Sequence, residues 1–521
     1  MDQPGGTAAR SPAASPGPAV PAAVPAARKP VSHSDRVPWL AWVIAAVFVA
    51  AELAVSGRYG FLQDELYFIV AGHHLAFGYV DQPPLAPLLT RITGLLGVSP
   101  TAIRIIPALA GGAIVIMTAR LAALFGAGRF GRVLAALITA CTPILIGALH
   151  IGNTTPLDLL AWTAVLVCVS TALLRQRPRW WLAAGAAAGL GLEADNLVVL
   201  LLICLAVGLL ASAQRPVLRT RWPWMGAGIA AVIWAPNLIW QAAHDWPQLA
   251  MSAALHQQNT SPADYAGAVP AQLLYLGLLV APLVVAGFVV LWRTPELRFL
   301  AITATLVLAY VLAWIPGKVY YADGVAPAVL AAGALATERW VARAHRPRVR
   351  RWTVLAACLV GVAVALPSLL PVLPLSDVHN LPVSSQQSSL GDTIGWPQLT
   401  RAIAAQDAAL ARAGQPPASI FTGYYAEAAA LGVLGSADHL PPVLSGHNAY
   451  WMWGPGRASD RSVLAVDALS RLRPYFASCR LLSTYHAPYH VNNDWTDLQI
   501  GLCTGPHGSW RTLWPHLKHY G

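Results

Sequence analysis

The sequence predicts a polytopic α-helical membrane protein of about eleven transmembrane helices with a C-terminal extracytoplasmic α/β domain. Three observations predict it. The 521 residues are 56% hydrophobic and only 11% charged, with a mean hydropathy of +0.53, which is too apolar for one soluble domain. Apolar stretches near the roughly 20 residues that a hydrocarbon core demands recur between residues 38 and 373. From about Ser376 onward that recurrence stops and the composition becomes mixed.

Residues 1–35 are rich in Ala, Pro, Ser and Gly and show no hydrophobic periodicity. Such a segment cannot bury enough surface to offset the entropy of ordering, so a disordered cytoplasmic arm is expected there. The span after it is expected to be retained as an anchor. Hydropathy places spans at residues 38–56, 103–124, 132–150, 156–174, 180–192, 196–213, 223–240, 270–292, 299–316, 320–337 and 353–373. Residues 36–375 would then form the transmembrane domain.

The 34 Lys and Arg outnumber the 23 acids, but their distribution speaks of topology. Arg36, Arg129, Arg132, Arg175, Arg177, Arg179, Arg215, Arg219, Arg221, Arg293, Arg298 and the run from Arg343 to Arg351 fall in alternate loops. Those loops are therefore expected on the cytoplasmic side of the membrane. No nucleic-acid partner is implied. Asp64, Glu65, Asp81, His150, Glu193, Asp195, His244 and Asp323 collect in the opposite loops, so any active site should face outside. The Arg-rich loops at 175–179 and 215–221 share a side, so the chain between them must cross twice, with Glu193, Asp195 and Asn196 at the outer turn.

Residues 376–521 hold an amphipathic stretch near Leu399–Ala413 and short β-prone pieces, ASIFTGYY and CRLLSTYH, between Gly and Pro signals. They read as a soluble α/β domain, outside the membrane by the odd number of spans before it. Cys141, Cys168, Cys204 and Cys358 lie in apolar segments and read as core residues. Cys479 and Cys503 lie in the polar tail, where an oxidising compartment would let them pair.

The most informative stretch is Gly60–Arg91, which puts Asp64, Glu65, His73, His74 and Asp81 beside an apolar span. Acids at membrane depth are costly and rare, and are usually functional. Asp64 and Glu65 are adjacent, so on a helix they point about 100° apart; one can act while the other anchors. A carboxylate there suits general-base work on an attacking hydroxyl. The histidines beside Asp64 invite a metal reading, but their spacing matches no strong signature. The acid cluster permits Mg²⁺ or Mn²⁺ without requiring either. Lys318 in PGKVYYADGVAP is a lone cation at an outer span boundary, suited either to hold a phosphate as a point charge or to snorkel. Tyr320 and Tyr321 fit an aromatic belt or sugar stacking. Asp158 is a further catalytic candidate, against the competing accounts of a helix-entry cap or a buried polar pair. His244 begins an outer amphipathic segment or touches substrate.

QDELYFIVAGHHLAFGYVDQPPLAPLL, APNLIWQAAHDWPQL, PGKVYYADGVAPAVLAAGA and, in the tail, VLSGHNAYWMWGPG together resemble the bacterial GT-C glycosyltransferases of the protein-mannosyltransferase-like and aminoarabinose-transferase-like group, glycosyltransferase family 39 or 83. The resemblance spans about residues 38–455. It implies an inverting transferase that moves a sugar from a polyprenyl-phosphate carrier to a glycan, lipid or protein acceptor at the outer membrane face. It also implies that Asp64 is the essential first-loop acid, with Glu65 its neighbour, and that Lys318 lies close to the lipid phosphate. Asp158 falls near a second polar motif of the relatives. Where many relatives carry a Lys-Tyr pair after a Gly-Leu run, this chain has Glu193, Ala194, Asp195 and Asn196 after GLGL. A membrane transporter or flippase of a lipid-linked glycan is the competing class; its polar residues would sit near the bilayer midplane on broken helices.

Overall fold

The apolar runs become helices wherever their length allows the backbone to satisfy its own hydrogen bonds, the condition that a bilayer imposes. The computed structural model describes residues 36–381, 390–435, 438–455 and 461–520; the expected N-terminal arm lies outside them. In chain order the helices are α1 Trp39–Val55, α2 Gln63–Ala71, α3 Leu85–Thr93, α4 Pro100–Leu124, α5 Arg129–Ala140, α6 Pro143–Leu149, α7 Thr155–Leu174, α8 Trp180–Leu192, α9 Leu197–Leu210 and α10 Arg221–Ala243. There follow α11 Pro247–Gln258, α12 Pro262–Leu276, α13 Ala281–Arg293, α14 Arg298–Trp314, a 3₁₀ segment Pro316–Val325, α15 Ala326–Ala342 and α16 Pro347–Leu369.

Among the described residues, Pro100–Leu124, Thr155–Leu174, Pro316–Ala342 and Pro347–Leu369 are long and apolar enough to cross a membrane. The expected spans at 132–150 and 270–292 are instead bent pairs. α5 and α6 meet at 59°, and α12 and α13 at 96°. The second bend sits at Gly277, whose φ of 87° is open to glycine without a side-chain clash. α1, α8, α9 and α14 are shorter apolar helices. The protein is thus a membrane protein with several apolar helices.

Two contacts show how the helical layer is tied. Glu338, near the end of α15, accepts the Gly128 and Gly131 backbone N–H groups at 2.6 and 2.9 Å, occupying unpaired donors at the start of α5 where a negative charge is favoured. Gly185 of α8 faces Gly226 of α10 so closely that a Cβ on either would strike backbone, the small-residue contact that lets membrane helices approach.

The C-terminal part holds α17 Trp396–Arg412, α18 Tyr425–Leu434 and α19 Asn448–Trp453 around a five-stranded mixed sheet. Its strands are β1 Ser419–Thr422, β2 Val443–Ser445, β3 Val463–Val466, β4 Phe476–Tyr485 and β5 Leu498–Pro506, in the order β2-β1-β3-β5-β4. β1 pairs in parallel with β2 and β3; β5 pairs antiparallel with β3 and β4. Cys479 and Cys503 face each other across β4 and β5 and are joined as a disulfide.

The membrane part and the sheet part are not separate bodies, since residues 35–521 form one compact unit. The reason lies in α2. Its Leu66, Tyr67, Phe68 and Ile69 are buried in the same hydrophobic cluster as Leu399, Ile403, Ile420, Leu431 and Leu464 of the C-terminal part. Gly60, just before α2, lies so near the Thr393 carbonyl that any side chain there would collide with it.

Candidate functional site

The first loop divides its two adjacent acids as helix geometry requires. Glu65 is fully buried and turned toward α4. Its Oε1 and Oε2 accept from Arg104 Nε and Nη2, both at 2.8 Å, and further accept the Gly152 and Leu62 N–H groups at 2.8 Å. Arg104 donates further to the Ser56 and Gly60 carbonyls at 2.7 and 3.0 Å, and its Nη1 lies 3.4 Å from His150 Nε2. Nearby, His150 Nδ1 and Glu52 Oε2 lie 2.8 Å apart. A carboxylate with four donors, two of them from a bidentate guanidinium, has no free lone pair with which to receive a proton, so the catalytic expectation for Glu65 gives way to anchoring. The pair fixes where α2 begins.

Asp64 points the other way. Its Oδ1 accepts the Tyr425 hydroxyl at 2.8 Å, from the first residue of α18. Burial holds the Asp64 carboxyl above the usual carboxylate range, while the Tyr425 hydrogen bond and the Lys318 ammonium pull it back. Lys318 and Asp64, far apart in sequence, therefore share one electrostatic environment.

Lys318 sits at a kink in the 3₁₀ segment, with φ −119° and ψ 48°. It is half-buried, its Nζ lies 6.0 Å from the Tyr320 ring, and among the described residues no carboxylate is within ion-pair distance of it. The Tyr320 and Tyr321 rings meet edge to face at 4.8 Å, and both feel the Asp64 charge. Asp158 is buried one turn into α7, near Asp195 and Tyr321, with its Oδ1 unpartnered. Asp195 is itself engaged, accepting from Thr154 Oγ1 and from the Leu197 N–H at 2.8 and 3.0 Å. Glu193, pushed up to about 7 by burial, holds α3 through its backbone carbonyl, which accepts the Leu85 N–H at 2.8 Å.

Asp81 forms the second half of the first-loop site. Oδ1 accepts the Tyr67 hydroxyl at 2.9 Å and Oδ2 accepts Asn448 Nδ2 at 3.1 Å; burial pushes its carboxyl up to about 7. The Tyr67 and Tyr425 rings touch at 4.8 Å, and the two acids feel one another's charge. α10 holds the loop from beneath: Asn237 and Gln241 donate to the Phe77 and Tyr79 carbonyls at 3.0 and 3.1 Å.

The histidines separate. His73 is exposed and lies 2.9 Å from Arg91 Nη1, so it takes no part in this cluster. His74 stacks on Trp453 at 4.5 Å and His244 on Trp240 at 4.1 Å. With Tyr79 and Met452 these four line a groove of about 330 Å³. No group of three or more His, Cys, Asp or Glu among the described residues is arranged to hold a metal ion. Asp64, Glu65 and Asp81 each take a different protein partner.

Sequence reasoning missed Arg104, Tyr67, Tyr425 and Asn448. A lone arginine inside an apolar span was a signal for the first; Asn448 lies inside the tail motif, whose role the sequence left unassigned. Tyr425 carried no signal, since it lies in a segment read only as β-prone.

Comparison with known proteins adds two findings. The family profile described as dolichyl-phosphate-mannose-protein mannosyltransferase matches residues 81–240. The structure of ArnT from Cupriavidus metallidurans bound to undecaprenyl phosphate superimposes with a TM-score of 0.56 at 17% identity, over 88% of this chain and 97% of that one. Its apo form gives 0.55 at 16% over the same shares. The Archaeoglobus fulgidus oligosaccharyltransferase tethered with an acceptor peptide matches more loosely, at 0.49 and 13% over 78% of this chain and 63% of that one. A search of curated protein sequences gives no match. Residues 81–240 thus match the mannosyltransferase profile, and over 88% of its length the chain shares the fold of that ArnT.

Proposed function

We propose that this protein is an inverting glycosyltransferase that moves a sugar from a polyprenyl-phosphate carrier to an acceptor hydroxyl at the outer face of the cytoplasmic membrane, with its C-terminal part outside. The observation that carries the reading is the shared electrostatic environment of Asp64 and Lys318, a half-buried carboxylate held by the Tyr425 hydroxyl at 2.8 Å and a half-buried ammonium with no carboxylate within ion-pair distance among the described residues. The acceptor oxygen attacks the anomeric carbon as Asp64 takes its proton. The bond from that carbon to the carrier phosphate oxygen breaks on the opposite face, and the carrier phosphate leaves with the electron pair, its charge met by Lys318. The fold is that of a protein whose structure contains undecaprenyl phosphate, which supports a carrier of this class. The acceptor and the sugar are open; His74 and His244 in the aromatic groove are proposed to contact one of them.

Incubating the purified protein with a panel of polyprenyl-phosphate sugars and measuring free polyprenyl phosphate tests the reading. Asp64→Asn should lower turnover by about 10²-fold or more, the usual worth of a positioned general base, with folding intact. Lys318→Ala should slow turnover or raise the donor KM. Translocation of intact lipid-linked sugar without carrier release would favour the flippase reading instead.

A further inference from the structure

We propose that the C-terminal part completes the transfer site, with Tyr425 of α18 acting as a positioning residue for Asp64 and Asn448 of α19 doing the same for Asp81. This rests on the glycosyltransferase reading above and extends it to residues outside the membrane part. Three independent features of the geometry converge. Tyr425 reaches Asp64 at 2.8 Å and Asn448 reaches Asp81 at 3.1 Å, so each first-loop acid that is not tied to Arg104 has one partner from beyond residue 390. The Tyr67 ring, which donates to Asp81, packs on Tyr425 at 4.8 Å, Tyr450 at 6.2 Å and Trp453 at 6.1 Å. α2 and α18 share one buried hydrophobic cluster, so the two partners are delivered by packing and not by a loose tail.

The backbone around these residues is held to the same end. His447 Nδ1 accepts the Tyr425 N–H at 3.2 Å, and its ring lies 5.2 Å from the Tyr425 ring on one side and 4.7 Å from His519 on the other. Asn448 takes a left-handed φ of 48° directly after His447, a conformation that Asn tolerates better than most residues. The turn that aims Asn448 at Asp81 and the imidazole that steadies Tyr425 are thus adjacent in sequence.

A phenol that donates to a carboxylate favours its charged form and fixes its rotamer. The charged and titratable groups facing Asp64 are Lys318, Glu65, Asp81, Asp392, Tyr320, Tyr321 and Tyr425. Of these, Lys318 and Tyr425 stabilise the charged carboxylate. Removing the Tyr425 hydroxyl leaves burial and the neighbouring acids opposed chiefly by Lys318, so protonation of Asp64 moves to higher pH.

The experiment uses the full chain in detergent, with a polyprenyl-phosphate sugar that the wild type turns over. Tyr425→Phe keeps the ring and its packing. It should lower kcat about ten-fold or more, leave donor KM within about two-fold, and move the acid limb of the kcat–pH profile upward, so that the deficit is larger at pH 6 than at pH 8. Asn448→Gly, which accepts the positive φ, should lower kcat as well; it serves as the second variant if the first does not fold, as judged by thermal unfolding. Wild-type kcat and an unmoved acid limb in Tyr425→Phe, or a defect confined to donor KM, with Asp64→Asn inactive, would overturn the positioning role and leave the base assignment standing. Full activity in Asp64→Asn would remove the base assignment and this inference with it.

Discussion

At the scale of single residues, the first loop shows how two neighbouring carboxylates acquire opposite duties. Glu65 spends both oxygens on Arg104 and two backbone N–H groups, whereas Asp64 keeps one oxygen outside its bond to Tyr425. Breaking one side of a buried, hydrogen-bonded ion pair leaves an uncompensated charge and costs about 3–5 kcal/mol. Arg104→Met should therefore reduce stability by roughly that amount, read as lost yield and a lower melting temperature. Turnover per folded molecule should fall far less than in Asp64→Asn. An Arg104→Met protein that melts like the wild type but is inactive would reverse the assignment and give Glu65 and Arg104 a chemical role. Neither partner could be paired from sequence, because they are separated by 39 positions and lie on different helices.

At the scale of elements, the short helices and turns between the membrane segments set the site more than the spans do. α10 donates Asn237 and Gln241 to the backbone that carries Asp81, and at Gly78 a Cβ would fall 2.5 Å from the Trp240 ring. Gly78→Ala should push the loop off α10 and raise KM for whichever substrate enters the groove, while Trp453→Ala should do so by removing the surface against which His74 stacks. An unchanged KM for both donor and acceptor in Trp453→Ala would take the groove out of the reaction. The apolar runs themselves were legible because hydrophobicity is a local property of the chain: each expected run contains helix, though those at 132–150 and 270–292 are broken. The breaks were less so, because a 96° turn between α12 and α13 depends on Gly277 and on what packs around it, which hydropathy averages away. Asp64 and Lys318 could be named from the chemistry of rare charges beside apolar runs. Tyr425 could not, since its contact with Asp64 spans 361 positions and exists only once α18 has docked on α2.

At the scale of the whole molecule, that docking buries ionisable groups in the joint core, and their protonation links pH to stability. Burial pushes Glu427 in α18 up to about 8, Asp392 up to about 8 and Asp81 up to about 7. In the unfolded chain such carboxyls release their protons near pH 4. Between about pH 4 and pH 8 the folded form therefore binds more protons than the unfolded form, so its stability falls as pH rises through that window. Glu427 is the clearest probe. Its Oε2 accepts the Tyr424 N–H at 3.1 Å while Oε1 has no partner, so glutamine can keep the helix cap through its carbonyl oxygen while removing the group that ionises as pH rises. Thermal unfolding in detergent should show the wild type losing stability from pH 5 to pH 8. Glu427→Gln should melt higher than the wild type at pH 8, differ little from it at pH 5, and show a shallower slope. A wild-type melting temperature that climbs across the window, or a variant that keeps the full slope, would mean that the α18 core admits water around Glu427. The Tyr425 contact with Asp64, two residues earlier on the same helix, would then be correspondingly looser.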